Sequence, residues 1–396
     1  MLSRRASWDA PANRLTAARR AAEERGATVI DLTESNPTRA GIEYPIEELE
    51  RCLAAAARVP YEPDPLGLLS AREALAADLS TAADVVAPED LVLTASTSEA
   101  YGFLFKLLGD PGDEIATHSP SYPLLDHLAA LESLHLRRFP LHFHGARWEL
   151  DASAVASALS GKTRAVVLIH PNNPTGSYVD RRERDDLAAI LRPRQIPVLS
   201  DEVFFDYRLR EDGAPPLSMA AGDDLPAVAL GGLSKSAGLP HWKLGWIRLG
   251  GPAGWKDTAR QGLELIGDSY LSVATPVQAA LPSILPLGRR IRASILARVR
   301  VNLARLDARI RRAPAIDLLP AEGGWSAVLR VPRVESEEDL AVTLVESHGV
   351  LVHPGFFFEF ATEGYLVVSL LTPPEIFEEG IDRLVRGVEE RMRIQD

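Results

Sequence analysis

Cysteine is almost missing from this 396-residue chain: Cys52 stands alone, so no internal disulfide can form and no thiolate cluster can hold a metal. A reducing compartment follows as the expectation, with the cytoplasm as the default. Basic charge is also in deficit, with 43 Lys and Arg against 55 Asp and Glu, a formal net charge of -12. Phosphate backbones are held by clustered cations, so this balance argues against nucleic acid as a partner. No uncharged run approaches the roughly 20 apolar residues of a membrane span. Arg4, Arg5, Arg14, Arg19 and Arg20 make the N-terminus basic, but no signal-like apolar run follows, and Asp9, Glu23 and Glu24 spoil a transit peptide. His118, His127, His135, His142 and His144 are scattered without metal-ligand spacing, so no metal site is expected. Internal repeats and Gly/Ser tethers are absent as well.

What is present is ordinary globular material, 46% hydrophobic and 25% charged, of a length that suits a large domain plus a smaller one. Residues 11–25 read as a helix ending at Gly26, followed by a short strand from Thr28 to Leu32 and a helix from Ser70 to Ala82. Short apolar runs then alternate with helical stretches: Leu91 to Thr94, Glu114 to Thr117, Arg164 to Ile169, Pro197 to Ser200, Ala227 to Leu230 and Leu244 to Leu249. Such runs suit strands buried on both faces of a parallel sheet, and the alternation predicts an α/β fold covered by helices. After Pro276 the pattern changes to a long helix over about 282–312 and strands near Trp325 to Val331 and Tyr365 to Leu370, an α+β unit.

Ligands of parallel sheets bind beyond the carboxyl ends of the strands, and four suggestive clusters fall there. Thr94 to Ala100 places small hydroxyl residues between a strand and a helix, where helix N–H groups attract an anion; a plain helix cap would use the same residues. His170-Pro171-Asn172-Asn173-Pro174-Thr175-Gly176 is a rigid turn able to present an Asn amide, although a structural turn could have this composition too. Asp201 ends the strand Pro197 to Ser200; buried, it would demand a cation. Lys235 lies in Gly231-Gly232-Leu233-Ser234-Lys235-Ser236, where a desolvated amine could attack an aldehyde.

The order of these clusters resembles the class I/II aminotransferases of fold type I, pyridoxal-phosphate enzymes, across nearly the whole chain. Tyr61-Glu62-Pro63 with Gly67, Ser119-Pro120-Ser121-Tyr122-Pro123 and Pro354-Gly355 extend the likeness. The resemblance implies a large cofactor domain over 46–282 and a smaller α+β domain from 1–45 with 283–396. It implies that Lys235 carries the cofactor as a Schiff base and then shuttles a proton, that Asp201 pairs with the pyridine nitrogen, and that Asn173 donates to the ring hydroxyl. Tyr122 would stack on the ring, and Thr97, Ser98, Ser234 and Lys243 would hold the phosphate. Tyr61 and Thr275 would reach the phosphate from a neighbouring subunit, making a homodimer with shared sites.

Three positions depart from the family. Lys243 stands where Arg is usual, keeping the charge without the bidentate fork. Phe204 replaces a Tyr whose hydroxyl touches the ring oxygen, with Tyr207 as a substitute from the next turn. Val367 occupies the place of the Arg that clamps the substrate carboxylate. Arg39, after Asn36-Pro37-Thr38, is the replacement candidate, and Asn36 accompanies it as a substrate-binding residue. The expected function is transfer of an amino group from an amino acid or amine to a keto acid or aldehyde. A lyase, decarboxylase, racemase or condensing enzyme on the same scaffold is the alternative. A non-catalytic sensor is disfavoured, because no DNA-binding module fits before Asn36.

Overall fold

A computed structural model of the chain describes residues 13–211 and 215–395, with residues 3 and 5. Helix α1 (Arg14–Glu24) begins at Asn13, whose side-chain oxygen accepts the Leu15 N–H at 2.9 Å, and Gly26 follows it in the left-handed region at φ 76°. The expected helix reached back to residue 11, but residues 11 and 12 lie outside the described ones. In chain order there follow β1 (Ile30–Asp31), α2 (Ile46–Ala56), α3 (Leu69–Leu79), β2 (Leu91–Thr94), α4 (Thr97–Leu108), β3 (Glu114–Ser119), α5 (Leu124–Leu131), β4 (His135–Phe143) and β5 (Trp148–Leu150). Then come α6 (Ala152–Ala158), β6 (Thr163–Ile169), α7 (Arg181–Leu191), β7 (Val198–Asp201), β8 (Ala227–Gly232), the short α8 (Leu233–Ser236) and β9 (Gly245–Gly250). The chain closes with α9 (Ala253–Tyr270), α10 (Thr275–Ile310), β10 (Asp317–Leu318), β11 (Ser326–Arg330), α11 (Glu337–His348), β12 (Val350–Leu351), β13 (His353–Pro354), β14 (Tyr365–Ser369) and α12 (Pro374–Gln395).

The large sheet has the order β2-β9-β8-β7-β6-β3-β4-β5, and only β9 and β5 run against the rest. Its central strands are buried over most of their length because helices cover both faces. Neighbours in sequence pack in opposite directions, Val198 among α6 and α7 and Leu199 among α4 and α9. This is the α/β architecture expected, and the six predicted central runs match observed strands to within a few residues. The sequence reading missed β4 and β5, which close one edge of the sheet. β4 leaves five of its nine residues exposed and buries only Phe139, so it lacks the continuous apolar run that marked the others.

A second, antiparallel sheet, β10-β11-β14-β13, forms the smaller layer, and β1 pairs with β12. Helix α10 starts seven residues ahead of the expected 282 and carries Pro282 and Pro286 inside it. Inside a helix each proline costs about 3 kcal/mol. Here they are carried by a buried face that includes Val277, Leu281, Ile284, Ile291, Ile295 and Val299.

Candidate active site

The carboxyl ends of β2, β6, β7 and β8 open onto one cavity of about 260 Å³. Thr97, Ser98, Tyr122, Asn173, Asp201, Ser234 and Lys235 all line it, so the fold brings together seven of the residues singled out by sequence. The opposite wall comes from the small sheet: Trp325, Ser326, His353, Phe358, Val367 and Ser369.

Lys235 sits in α8, directly after β8. Its Nζ donates to the Ser35 carbonyl at 3.3 Å and lies 5.0 Å from the Trp325 ring centroid and 5.6 Å from that of Phe204. Burial pushes the amine down to about 8, against the opposing pull of Asp201 and Glu34. At pH 7 roughly one molecule in ten then carries the neutral, nucleophilic amine, against a few in ten thousand for an ordinary lysine. Asp201 ends β7, the strand beside β8. Its carboxylate accepts the Val203 N–H at 3.2 Å and the Tyr101 hydroxyl at 3.1 Å. Burial nevertheless pushes it up to about 6, against the two hydrogen bonds and the pull of Lys235.

The anion-like turn serves as helix cap and cavity wall at once. Ser96 caps α4 by accepting the Glu99 N–H at 3.2 Å, and the Glu99 carboxylate accepts the Ala95 N–H at 2.7 Å. This leaves the first-turn residues Thr97 and Ser98 facing the cavity, with N–H groups that a helix cannot satisfy internally. Gly245 lets β9 pass close beneath, since a Cβ there would stand 3.1 Å from the Thr97 nitrogen. In the Asn turn the two amides divide. Asn172 is buried and donates to the Pro120 carbonyl and to Thr175 Oγ1, whereas Asn173 lines the cavity and accepts from Ser326 Oγ at 3.3 Å. Gly176 closes the turn at φ 72°, where a Cβ would meet the Gly323 carbonyl oxygen at 2.6 Å.

The remaining expected residues fall elsewhere. Asn36 and Arg39 do not line the cavity; Arg39 is exposed, and the Asn36 side chain accepts from Thr38, its own loop. The loop contributes Thr33 and Ser35 instead. Lys243 is exposed, in the left-handed region at φ 51°, in the turn ahead of β9. Tyr61 and Thr275 sit together in a separate shallow pocket, with Tyr61 68% exposed. Tyr207 does not stand in for the hydroxyl missing at Phe204. It is fully buried, and its O–H donates to the Lys235 carbonyl at 2.6 Å. Val367 does face the cavity, so the clamp position is apolar. Phe204 and Phe358 line the cavity, whereas Phe360 stacks on Tyr365. The sequence reading missed Tyr101, Trp325 as a cavity residue, and His353. Only Tyr101 had a usable signal, one helical turn beyond Thr97 on the same face.

A parallel sheet with helices on both faces, a small second layer and a lysine opposite a buried acid define a fold type I pyridoxal-phosphate enzyme. The chain matches the family "Aminotransferase class I and II" over residues 27–384 and belongs to it. It is a pyridoxal-phosphate-dependent transferase. The glutamate-pyruvate aminotransferase of Haemophilus influenzae is 27% identical over 92% of this chain and 91% of its own. An S-alkyl-thiohydroximate lyase of Arabidopsis thaliana is 34% identical, but over only 55% of this chain and 48% of that one, so this chain spans about half of that relative. Among solved structures, the alanine aminotransferase of Pyrococcus furiosus superposes with a TM-score of 0.88 at 24% identity, covering 98% of this chain and all of its own. Because the relatives matched along the chain are aminotransferases, the lyase alternative is not favoured. The residues around the cavity fit the cofactor: an amine to join its aldehyde, a buried acid for its ring nitrogen, and a helix N-terminus for its phosphate.

Proposed function

We propose that the chain moves an amino group from an amino acid to a keto acid, using Lys235 and Asp201 as the central pair. Pyridoxal phosphate, when bound, supplies an aldehyde that captures the amine and a ring that withdraws electrons from the substrate carbon. Lys235 would carry the cofactor and, when free of it, would hold and move the proton at the substrate carbon, a task suited to an amine that burial pushes down to about 8. Asp201 would pair with the ring nitrogen and keep it protonated, Asn173 would donate to the ring hydroxyl, and Tyr122 would cover the ring face. Thr97, Ser98 and Ser234 would hold the phosphate, with the exposed Lys243 adding charge from the turn before Gly245.

We include in the proposal a large cofactor domain over 46–282 and a small one from 1–45 and 283–396, supported by the membership of the two sheets. A homodimer with shared sites is supported by Tyr61 and Thr275 lying away from their own cavity, and by exposed apolar side chains at Leu265, Tyr270 and Leu271. A cytoplasmic enzyme fits the lone cysteine; no described helix is long and apolar enough to cross a membrane.

One observation carries the reading: Lys235 and Asp201, at the ends of adjacent strands, share one cavity. Borohydride reduction of the loaded enzyme, followed by peptide mapping, should fix the cofactor on the peptide containing Lys235. A label elsewhere, or none, overturns the proposal.

A further inference from the structure

The carboxylate that an amino-acid donor brings has no arginine to meet. Among the described residues no arginine lines the cavity, and Lys235 is the only lysine that does. The exposed Arg39 is outside it. Strand pairing points to a substitute. His353 on β13 lies directly opposite Val367 on β14, the clamp position, and Ser369 lies opposite Ser326 on β11. Residues opposite one another in an antiparallel pair share a face, as do positions two apart, so His353, Val367, Ser369 and Ser326 all look into the cavity, which each of them lines.

His353 has no fixed duty in the fold. Its Nδ1 is buried without a hydrogen-bond partner among the described residues, so no protein acceptor sets its tautomer, and its ring rests against Phe357 and Phe358. Leu124, Leu125, Leu128, Phe358 and Val367 make an apolar stretch of the wall, and beside the hydroxyls of Thr33, Ser35, Ser326 and Ser369 no cation but Lys235 and His353 among the described residues lines the cavity for a second charge on the donor.

Resting on the transaminase reading above, we propose that His353 takes the donor carboxylate in place of the absent arginine, and that the donor is a monocarboxylic amino acid with a large apolar side chain. The bond is an N–H donated by the ring, strengthened when the arriving anion draws a second proton onto it. The surroundings permit this. Burial holds the imidazole below its usual range, so it is neutral before binding, while Asp31 favours its protonation. Lys235 and Asp201 line the same cavity. On α11, packed against β13, Glu337 is occupied by the N–H groups of Phe356 and Tyr365, and His348 faces Glu390. Beyond Phe358, Glu359 pairs with Arg138.

The test is calorimetric binding of 3-phenylpropionate and of its neutral amide to the cofactor-loaded enzyme at pH 7, in two buffers of different ionisation heat. The acid should bind at least tenfold more tightly than the amide, with proton uptake. His353→Leu should lower that preference about tenfold or more, as expected for a lost hydrogen bond to a charged group. His353→Gln, which keeps a donor but cannot take the second proton, should retain part of the preference and lose the uptake. An amide that binds as well as the acid, a preference unchanged in His353→Leu, or uptake persisting in His353→Gln overturns the assignment. Borohydride labelling of Lys235 in the same preparation tells this failure apart from failure of the transaminase reading.

Discussion

Replacing Asp201 with Asn should make the cofactor-free protein more stable and the loaded protein less so. In the fold the acid titrates near 6, against 3.8 for the free side chain, because burial outweighs the two hydrogen bonds it accepts. A difference of about 2 units corresponds to about 3 kcal/mol at most. The sign follows from proton binding. A raised folded value means that the native state holds the proton more tightly, so the contribution of this group is complete below 3.8 and is lost as pH rises through about 6. An amide carries no such charge. Urea unfolding of the cofactor-free proteins should therefore give nearly equal stabilities at pH 4 and an advantage of about 1–3 kcal/mol for the variant at pH 8, the lower end reflecting the imperfect hydrogen bonding of a buried amide. With cofactor the order reverses if the loss of its anionic partner costs the ring nitrogen more than that advantage: the apparent Kd for pyridoxal phosphate should rise about 200-fold or more, the equivalent of about 3 kcal/mol. An Asn variant less stable than the parent at pH 8, or an advantage equal at pH 4 and pH 8, refutes the reasoning.

Tyr101→Phe removes the hydroxyl that donates to Asp201. The cofactor-free variant should lose about 1 kcal/mol above pH 6, where the acid is charged, and less below it, measured by the same unfolding series; a loss independent of pH would assign Tyr101 to packing alone. Tyr207→Phe leaves the Lys235 carbonyl without its buried donor. It should cost about 1–3 kcal/mol in urea while Lys235 still labels with borohydride, and unchanged stability would mean that the carbonyl finds another partner.

Much of the fold was legible because the signal was local. A strand buried on both faces must be apolar along its length, so the runs ending at Thr94, Ile169 and Ser200 declared themselves before any pairing was known. β4 and β5 did not, since an edge strand keeps polar residues and its partner is chosen across the chain. The first turns of α10, ahead of 282, went unread, and the core that holds its two internal prolines in a helix is not visible in sequence.

The cofactor wall of the site was readable for a related reason. Asp201 ends a strand and Lys235, Asn173 and Thr97 each come within a few residues after one, and strand ends in a parallel sheet point the same way. By itself the sequence determined which chemistry the sheet carries, because backbone direction and residue type are set within a few positions. Only the tertiary structure decided what faces it. Trp325, His353 and Val367 arrive with the second sheet, ninety residues or more beyond Lys235 in the chain, Tyr207 turns beneath the lysine instead of toward the cavity, and Arg39 points to solvent. Those directions depend on packing between distant segments, which no local pattern encodes.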